Sequence, residues 1–315
     1  MKATKWKSYS LALIAGMSVL TACSSDDNND NGGNGNNGNG NEIENGTTLK
    51  GTITSDVTLT AGSTYKLSGE YIVEDGATLN IEAGVKIISI YDDIVDYILV
   101  KQGGKINAVG TSSAPIVMTS EKEEPGAWGG IHICGKAHTN AEGGKGSSEI
   151  GGATYGGNDD ADNSGTLKYV RVEYSGYAFD SEHEANGITF YGVGNGTTVE
   201  YCQAYKGSDD GFEFFGGSVN VSNLVSVSCS ADSFDWTEGW NGTATNLVAY
   251  QEAEETLGYD CDCLIEADNN ENNYAATPVA HPVLKNLILV GNNSAAGNRG
   301  IRLRRGTQVE IDGAK

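Results

Sequence analysis

Asn186-Gly-Ile-Thr-Phe-Tyr-Gly192, Asp210-Gly-Phe-Glu-Phe-Phe-Gly-Gly217 and Asp232-Ser-Phe-Asp-Trp-Thr-Glu-Gly239 say nearly the same thing three times. Each is followed by a second short apolar run: Val199-Glu-Tyr-Cys-Gln-Ala-Tyr205, Asn223-Leu-Val-Ser-Val-Ser228 and Asn246-Leu-Val-Ala-Tyr250. Ile188 and Phe212 lie 24 residues apart, Phe212 and Phe234 22, and Leu224 and Leu247 23. A period in the low twenties, built of short alternating strands and Gly/Asn turns, predicts a β-solenoid. An amphipathic helix would place apolar residues three and four apart, whereas these runs alternate.

Alternation also assigns faces, because successive strand side chains point to opposite sides. Ile188, Phe212 and Phe234 are expected to stack inward, as are Phe190, Phe214 and Trp236. Thr189, Glu213 and Asp235 then form an outward ladder, with Tyr191, Phe215 and Thr237 as a second one beside it.

On the N-terminal side the pattern continues. Tyr71 to Gly84 and Tyr97 to Gly110 read as two early coils, and Trp128-Gly-Gly-Ile-His-Ile133 opens another. Its second strand, Leu167 to Tyr174, arrives only after the Gly/Asn/Asp-rich segment 135–166, a long corner insertion; loops of this length are usually functional. A second insertion, Ala267 to Pro282, precedes Leu284-Lys-Asn-Leu-Ile-Leu-Val290, and Gly300-Ile-Arg-Leu-Arg-Arg305 repeats the first strand of a coil. The expected fold is all-β, a right-handed parallel β-helix with two long corner insertions, over 47–315. No capping helix or hairpin follows Val309-Glu-Ile311, so either a truncated product or a missing partner is expected.

Ahead of the solenoid, Lys2, Lys5 and Lys7 precede a short apolar run, Leu11 to Leu20, too short to span a bilayer. With Leu20-Thr21-Ala22-Cys23 they read as a lipoprotein signal over 1–22, with Cys23 as the lipidated residue. Residues 23–46 then form a tether, polar over Ser24 to Asn41, which has no apolar surface to offset the entropy of ordering. The expected location is the outer membrane, exposed on the cell surface and held through the lipid anchor. Four prolines and 44 glycines suit a solenoid. The net charge of −22 becomes −25 once the three leader lysines are removed, which argues against nucleic acid and anionic membrane surfaces as partners and favours divalent cations. Besides Cys23 there are five cysteines, an odd number, so not all can pair with one another. Cys202 reads as core, and Cys261-Asp-Cys263, with both sulfurs on one face of a strand, lacks zinc spacing and reads as structural.

Four strings are distinctive: Pro125 to Ala137, Gly152 to Gly176, Gly207 to Gly217, and Ile265 to Asn270 with its return at Asn286. Together they resemble a large family of Bacteroidota surface lipoproteins that are predicted to be right-handed parallel β-helices of the pectate-lyase type. The acidic Ser24-Ser25-Asp26-Asp27 after the anchor position is similar to their export signal. The resemblance implies a fold and a surface location, and no reaction.

Two clusters of residues are candidates for chemistry. Asp209, Asp210, Asp232 and Asp235 converge from adjacent coils, an arrangement that Ca²⁺ would relieve; the alternative is that aspartates stabilise corner turns. Tyr191, Glu213, Phe215, Trp240 and Arg302 are candidate ligand contacts, with the aromatics stacking on sugar rings; the alternative is that loops cover them. No organic cofactor is expected. The function read from this is binding of glycans or a protein partner without catalysis. The alternative is a uronate-polysaccharide lyase or glycoside hydrolase acting through the aspartate patch. Gly207-Ser-Asp-Asp210 and Gly300-Ile-Arg-Leu-Arg304 are partly similar to a polygalacturonase-like hydrolase, but no histidine is flanked by two glycines. A lyase would need a base, for which Arg302 is the ladder candidate.

Overall fold

In the computed structural model, which describes residues 41–92, 94–179, 183–294 and 299–315, short β-rich runs stack in parallel, coil upon coil. The leader, Cys23 and the tether up to residue 40 lie outside these residues. The strands form one large sheet system in which every ladder between successive coils is parallel. Helix is nearly absent among the described residues; the α-helix Glu254–Leu257 has four. This is the expected right-handed parallel β-helix.

Each coil has three faces where the sequence reading saw two strands. The first face includes Gly165–Lys168, Thr198–Glu200 and the start of Asn220–Val227. The second includes Val170–Glu173, Gln203–Tyr205 and the end of Asn220–Val227. The third includes Ile131–Cys134, Ile188–Tyr191, Phe212–Phe215, Phe234–Thr237, Ile265–Ala267 and Ile301–Leu303. The bend between the first two faces is a single left-handed residue: Tyr169, Tyr201, Asn223, Asn246 and Asn286 all have φ between 51 and 59°. Asparagine tolerates this region better than most residues, and here its side chains also bond to one another, Asn246 Nδ2 to Asn223 Oδ1 and Asn286 Nδ2 to Asn246 Oδ1.

The third-face register matches the sequence reading. Ile188, Phe212 and Phe234 align, then Thr189, Glu213 and Asp235, then Phe190, Phe214 and Trp236. The inward aromatics stack along the axis, with ring centroids 5.1 Å apart for Phe190–Phe214 and 5.5 Å for Phe212–Phe234. Parallel coils repeat at about 4.8 Å, so identical inward residues meet at close to stacking distance. That geometry makes one continuous core.

Candidate functional site

The third face is the one that both long insertions fold over. The insertion after Cys134 carries a small hairpin, Gly146–Ser147 against Thr154–Tyr155, and Ile150, Ala153 and Tyr155 pack on Tyr97, Leu99 and Tyr191 in a second hydrophobic cluster. Tyr155 Oη and Thr139 Oγ1 each donate to Glu238 Oε2 at 2.7 Å, pinning the insertion to the coil. The insertion after Ala267 meets the first one through amides: buried Asn140 Nδ2 donates to buried Asn269 Oδ1 at 2.9 Å, and the half-buried Asn270 Nδ2 donates to Asn140 Oδ1 at 3.0 Å. Between the insertions and the sheet lies a cleft of about 770 Å³. Glu213, Phe215, Asp235 and Thr237 come from its strands; Ser147, Ser148, Glu149 and Asn270 to Asn272 come from the insertions, and Arg304 and Arg305 also line it.

The aspartates separate into two roles. Asn186, Asp210 and Asp232 occupy the same corner of successive coils, and each accepts a backbone N–H from the next. Asp210 N donates to Asn186 Oδ1, Asp232 N to Asp210 Oδ1 at 2.7 Å, and Cys263 N to Asp232 Oδ1 at 2.8 Å. Asp210 and Asp232 are therefore corner residues, as the turn reading held. Their remaining carboxylate surface still meets other acids, in a grouping that differs from the one expected. Atoms of Asp210, Glu213 and Asp235 lie within 4.8 Å of one another, as do atoms of Asp232, Asp262, Cys263 and Glu266. Asp209 belongs to neither group; it stands half-buried beside the first.

Electrostatics set this region apart. Burial, reinforced by Asp209, Asp232 and Asp235, pushes Asp210 well above the ordinary carboxylate range. Burial likewise raises Glu213, with Glu149 and Asp235 adding to it, and raises Asp235, with Asp232 and Glu266 adding to it. Asp209 is pushed to about 8, and Asp232 and Glu149 to about 7, again chiefly by burial. Asp235 Oδ1 is buried and accepts no hydrogen bond among the described residues. Like charges this close cannot all ionise without a compensating proton or cation. The oxygen-rich chemistry of Asp210, Glu213 and Asp235 fits a hard divalent cation, with nothing in it that selects calcium over another.

Of the aromatic candidates, only Phe215 lines the cleft. Trp240 is a correction: it is 1 % exposed in the core, stacked on Phe214 at 4.1 Å, with its Nε1 donating to Val219 O. Tyr191 is also corrected. Its ring is sandwiched among Tyr155, Phe215 and His132, and its hydroxyl donates to Glu149. Alternation placed it outward correctly, but the first insertion covers it. Arg302 continues the outward column above Asp235 and Glu266 and is bonded to Glu266 Oε1 at 2.7 Å, while Arg304 grips Asp268 with two 2.9 Å bonds. These arginines offset the acids of the coil below. Cys261-Asp-Cys263 also differs from expectation, since it lies in the corner before Ile265–Ala267 and outside any strand. The five described cysteines are buried, and burial holds the thiols of Cys134, Cys202 and Cys263 at about 12.

Glu149, Glu238 and Asp268 were missed as site residues. Glu149 and Asp268 lie in insertions, where no repeat pattern points to them. Glu238 falls just past the outward ladder, three residues after Asp235 in the strand motif, which was the signal available.

Fold and cleft together define a parallel β-helix protein with a roofed polar cleft on the outside of one sheet. Residues 51–315 match the family described as pectate-lyase like beta helix domain, and the chain belongs to that family. No curated protein and no solved structure matches it.

Proposed function

We propose that this protein is a lipid-anchored surface β-helix that binds glycans in the third-face cleft without turning them over. The observation that carries the reading is the cleft itself: about 770 Å³, lined by hydroxyl, amide, carboxylate and guanidinium groups around the half-buried ring of Phe215. Drug-like ligands favour mostly apolar pockets, whereas a sugar needs many hydrogen-bonding groups and one apolar surface to stack on. A Ca²⁺ ion held by Asp210, Glu213 and Asp235 belongs to this reading. It would neutralise the crowded acids, with its remaining ligands drawn from water or glycan oxygens.

A hydrolytic reading has one observation in its favour. Glu149 and Glu213 line the same cleft and hold their protons more tightly than ordinary carboxylic acids, as a general acid must. Elimination is less favoured, because Arg302, the base it would need, is tied to Glu266. A glycan array probed with the purified protein, run beside assays for new reducing ends and for unsaturated uronates, separates the readings. Binding without product supports the proposal, product formation replaces it with the enzymatic reading, and neither binding nor product overturns it. The anchor is tested by palmitate labelling, which Cys23→Ala should abolish, and by protease added to whole cells, which should cleave the wild type.

A further inference from the structure

The third-face cleft is anionic, and its two arginines are already engaged. Arg304 holds Asp268 through two 2.9 Å bonds, and Arg305 holds the same carboxylate at 2.6 Å. Six acidic residues line the cleft, against those two arginines and His183, which lies near Glu149. Asn186 donates an amide to Glu213, and Tyr155 and Thr139 donate hydroxyls to Glu238. These donors are neutral and leave the negative charge in place. Asp235 Oδ1 is buried and accepts no hydrogen bond among the described residues, although Asp235 and Glu213 both line the cleft. A buried oxygen of this kind is costly unless something donates to it.

We propose that the glycan taken by this cleft carries its own cation: a hexosamine unit with a free amino group, protonated to an ammonium and seated against Glu213 and Asp235, with Asp210 as the third acid. The inference rests on the glycan-binding reading above and names the class of glycan. Charge excludes the acidic sugars, since a uronate or sulfate entering here meets six acids and two guanidiniums committed to Asp268. A neutral hydroxyl could donate to Asp235 Oδ1 but would offset no charge. An ammonium offers three donors and no acceptor. Acceptors about 2.8 Å from one tetrahedral nitrogen stand about 4.6 Å apart, a spacing admitted by Asp210, Glu213 and Asp235, whose atoms lie within 4.8 Å of one another. Phe215 follows Glu213 by two residues on one strand, so both point outward, about 7 Å apart along it. A pyranose ring against Phe215 therefore brings a ring substituent towards Glu213. Ca²⁺ would neutralise the same oxygens, so metal and ammonium compete.

The test is titration calorimetry on the full chain in calcium-free buffer near neutral pH, with glucosamine oligomers, their N-acetylated counterparts of equal length, oligogalacturonates and lysine oligomers as probes. The glucosamine oligomer should bind about tenfold or more tightly than its N-acetylated counterpart, and the oligogalacturonate should not bind. Added Ca²⁺ should weaken glucosamine binding beyond the effect of Na⁺ at matched ionic strength. Asp235→Asn should remove the preference for the free amine. Glu255→Gln, on the helix outside the cleft, should keep it, which separates the site from the general pull of a chain of net charge −22. Thermal melts confirm that the variants fold; should Asp235→Asn fail to fold, Glu213→Gln takes its place with the same loss expected. Equal binding of the free and N-acetylated oligomers, tighter binding of the oligogalacturonate, or a lysine oligomer bound as tightly as glucosamine would overturn this inference. So would no glucosamine binding beside a glycan array positive for other sugars, and in each of these cases glycan binding itself stands. An array with no binding at all overturns both.

Discussion

The second and third faces are built by the same coils, from strands of similar length, around one core, yet their outward columns are opposites. On the third face the column reads Thr189, Glu213, Asp235, Glu266 and Arg302, roofed by two insertions. On the second face it reads Gln203, Val225, Val248 and Ile288. The strands supply the opposed columns, and what leaves each corner amplifies the difference. Insertions that roof the third face bring hydroxyls, amides and further acids to its charges, and they also desolvate those charges. On the second face the neighbours are shorter-range: Arg171 and Lys206 lie over the Tyr205 ring, and Tyr259 Oη donates to Ser228 O at its edge.

The two faces share a core, so their inward residues should matter alike. Phe234→Ala on the third face should cost about 3–5 kcal/mol and Leu247→Ala on the second about 2–5 kcal/mol in chemical denaturation. Phe215→Ala, outward and half-buried, should cost clearly less than either. Equal losses for Phe215 and Phe234 would mean that the facing is off by one residue.

Calcium should distinguish the faces next. A cation at a hundred times its Kd stabilises by about 2.7 kcal/mol, so melting temperature should rise with Ca²⁺ beyond what Na⁺ gives at matched ionic strength, and fall with EDTA. Asp210→Asn/Asp235→Asn should remove that response, whereas Val248→Lys should leave it intact. A wild type indifferent to Ca²⁺ ends the metal reading.

Acidity offers a third contrast, in cation-free buffer. Asp209, Asp232 and Glu149 have raised values of about 8, 7 and 7. Between the unfolded values near 4 and these folded ones, the unfolded chain releases protons that the folded chain keeps. Stability should therefore fall as pH rises through that window, and Glu149→Gln should flatten the slope. A stability that climbs with pH over the same range would show that these acids are already compensated. The smallest effect is expected on the second face, where Val248→Lys should change stability by no more than about 0.5 kcal/mol.

Much of this was legible in the chain. The Phe/Trp repeats set the period, the third-face register and the inward stacks, because strand alternation is a local property that stacking preserves. The division between the first and second faces was not legible: the left-handed Tyr201 splits the run Val199–Tyr205, while Asn223 and Asn246 open the other two runs and part them from first-face residues that the reading left out. Nor did the repeat show what the insertions would do. They buried Tyr191, and they brought Glu149 and Asp268 to the acids of the sheet, by contacts between segments far apart in sequence. Trp240 failed for a different reason. It follows the strand motif at a turn, where alternation no longer tells inside from outside.

The corner relay from Asn186 through Asp210 to Asp232 has a consequence for how such a chain changes over generations. Each of these side chains serves the backbone of the next coil, so a coil is a self-similar cassette with the same connector at both ends. Duplicating or removing a whole cassette of 22–24 residues leaves every connector matched, whereas losing one residue from a strand misaligns the columns on both sides of the break. Variation should accordingly accumulate as whole coils and as loops thrown out at corners, as in the two insertions that roof the cleft.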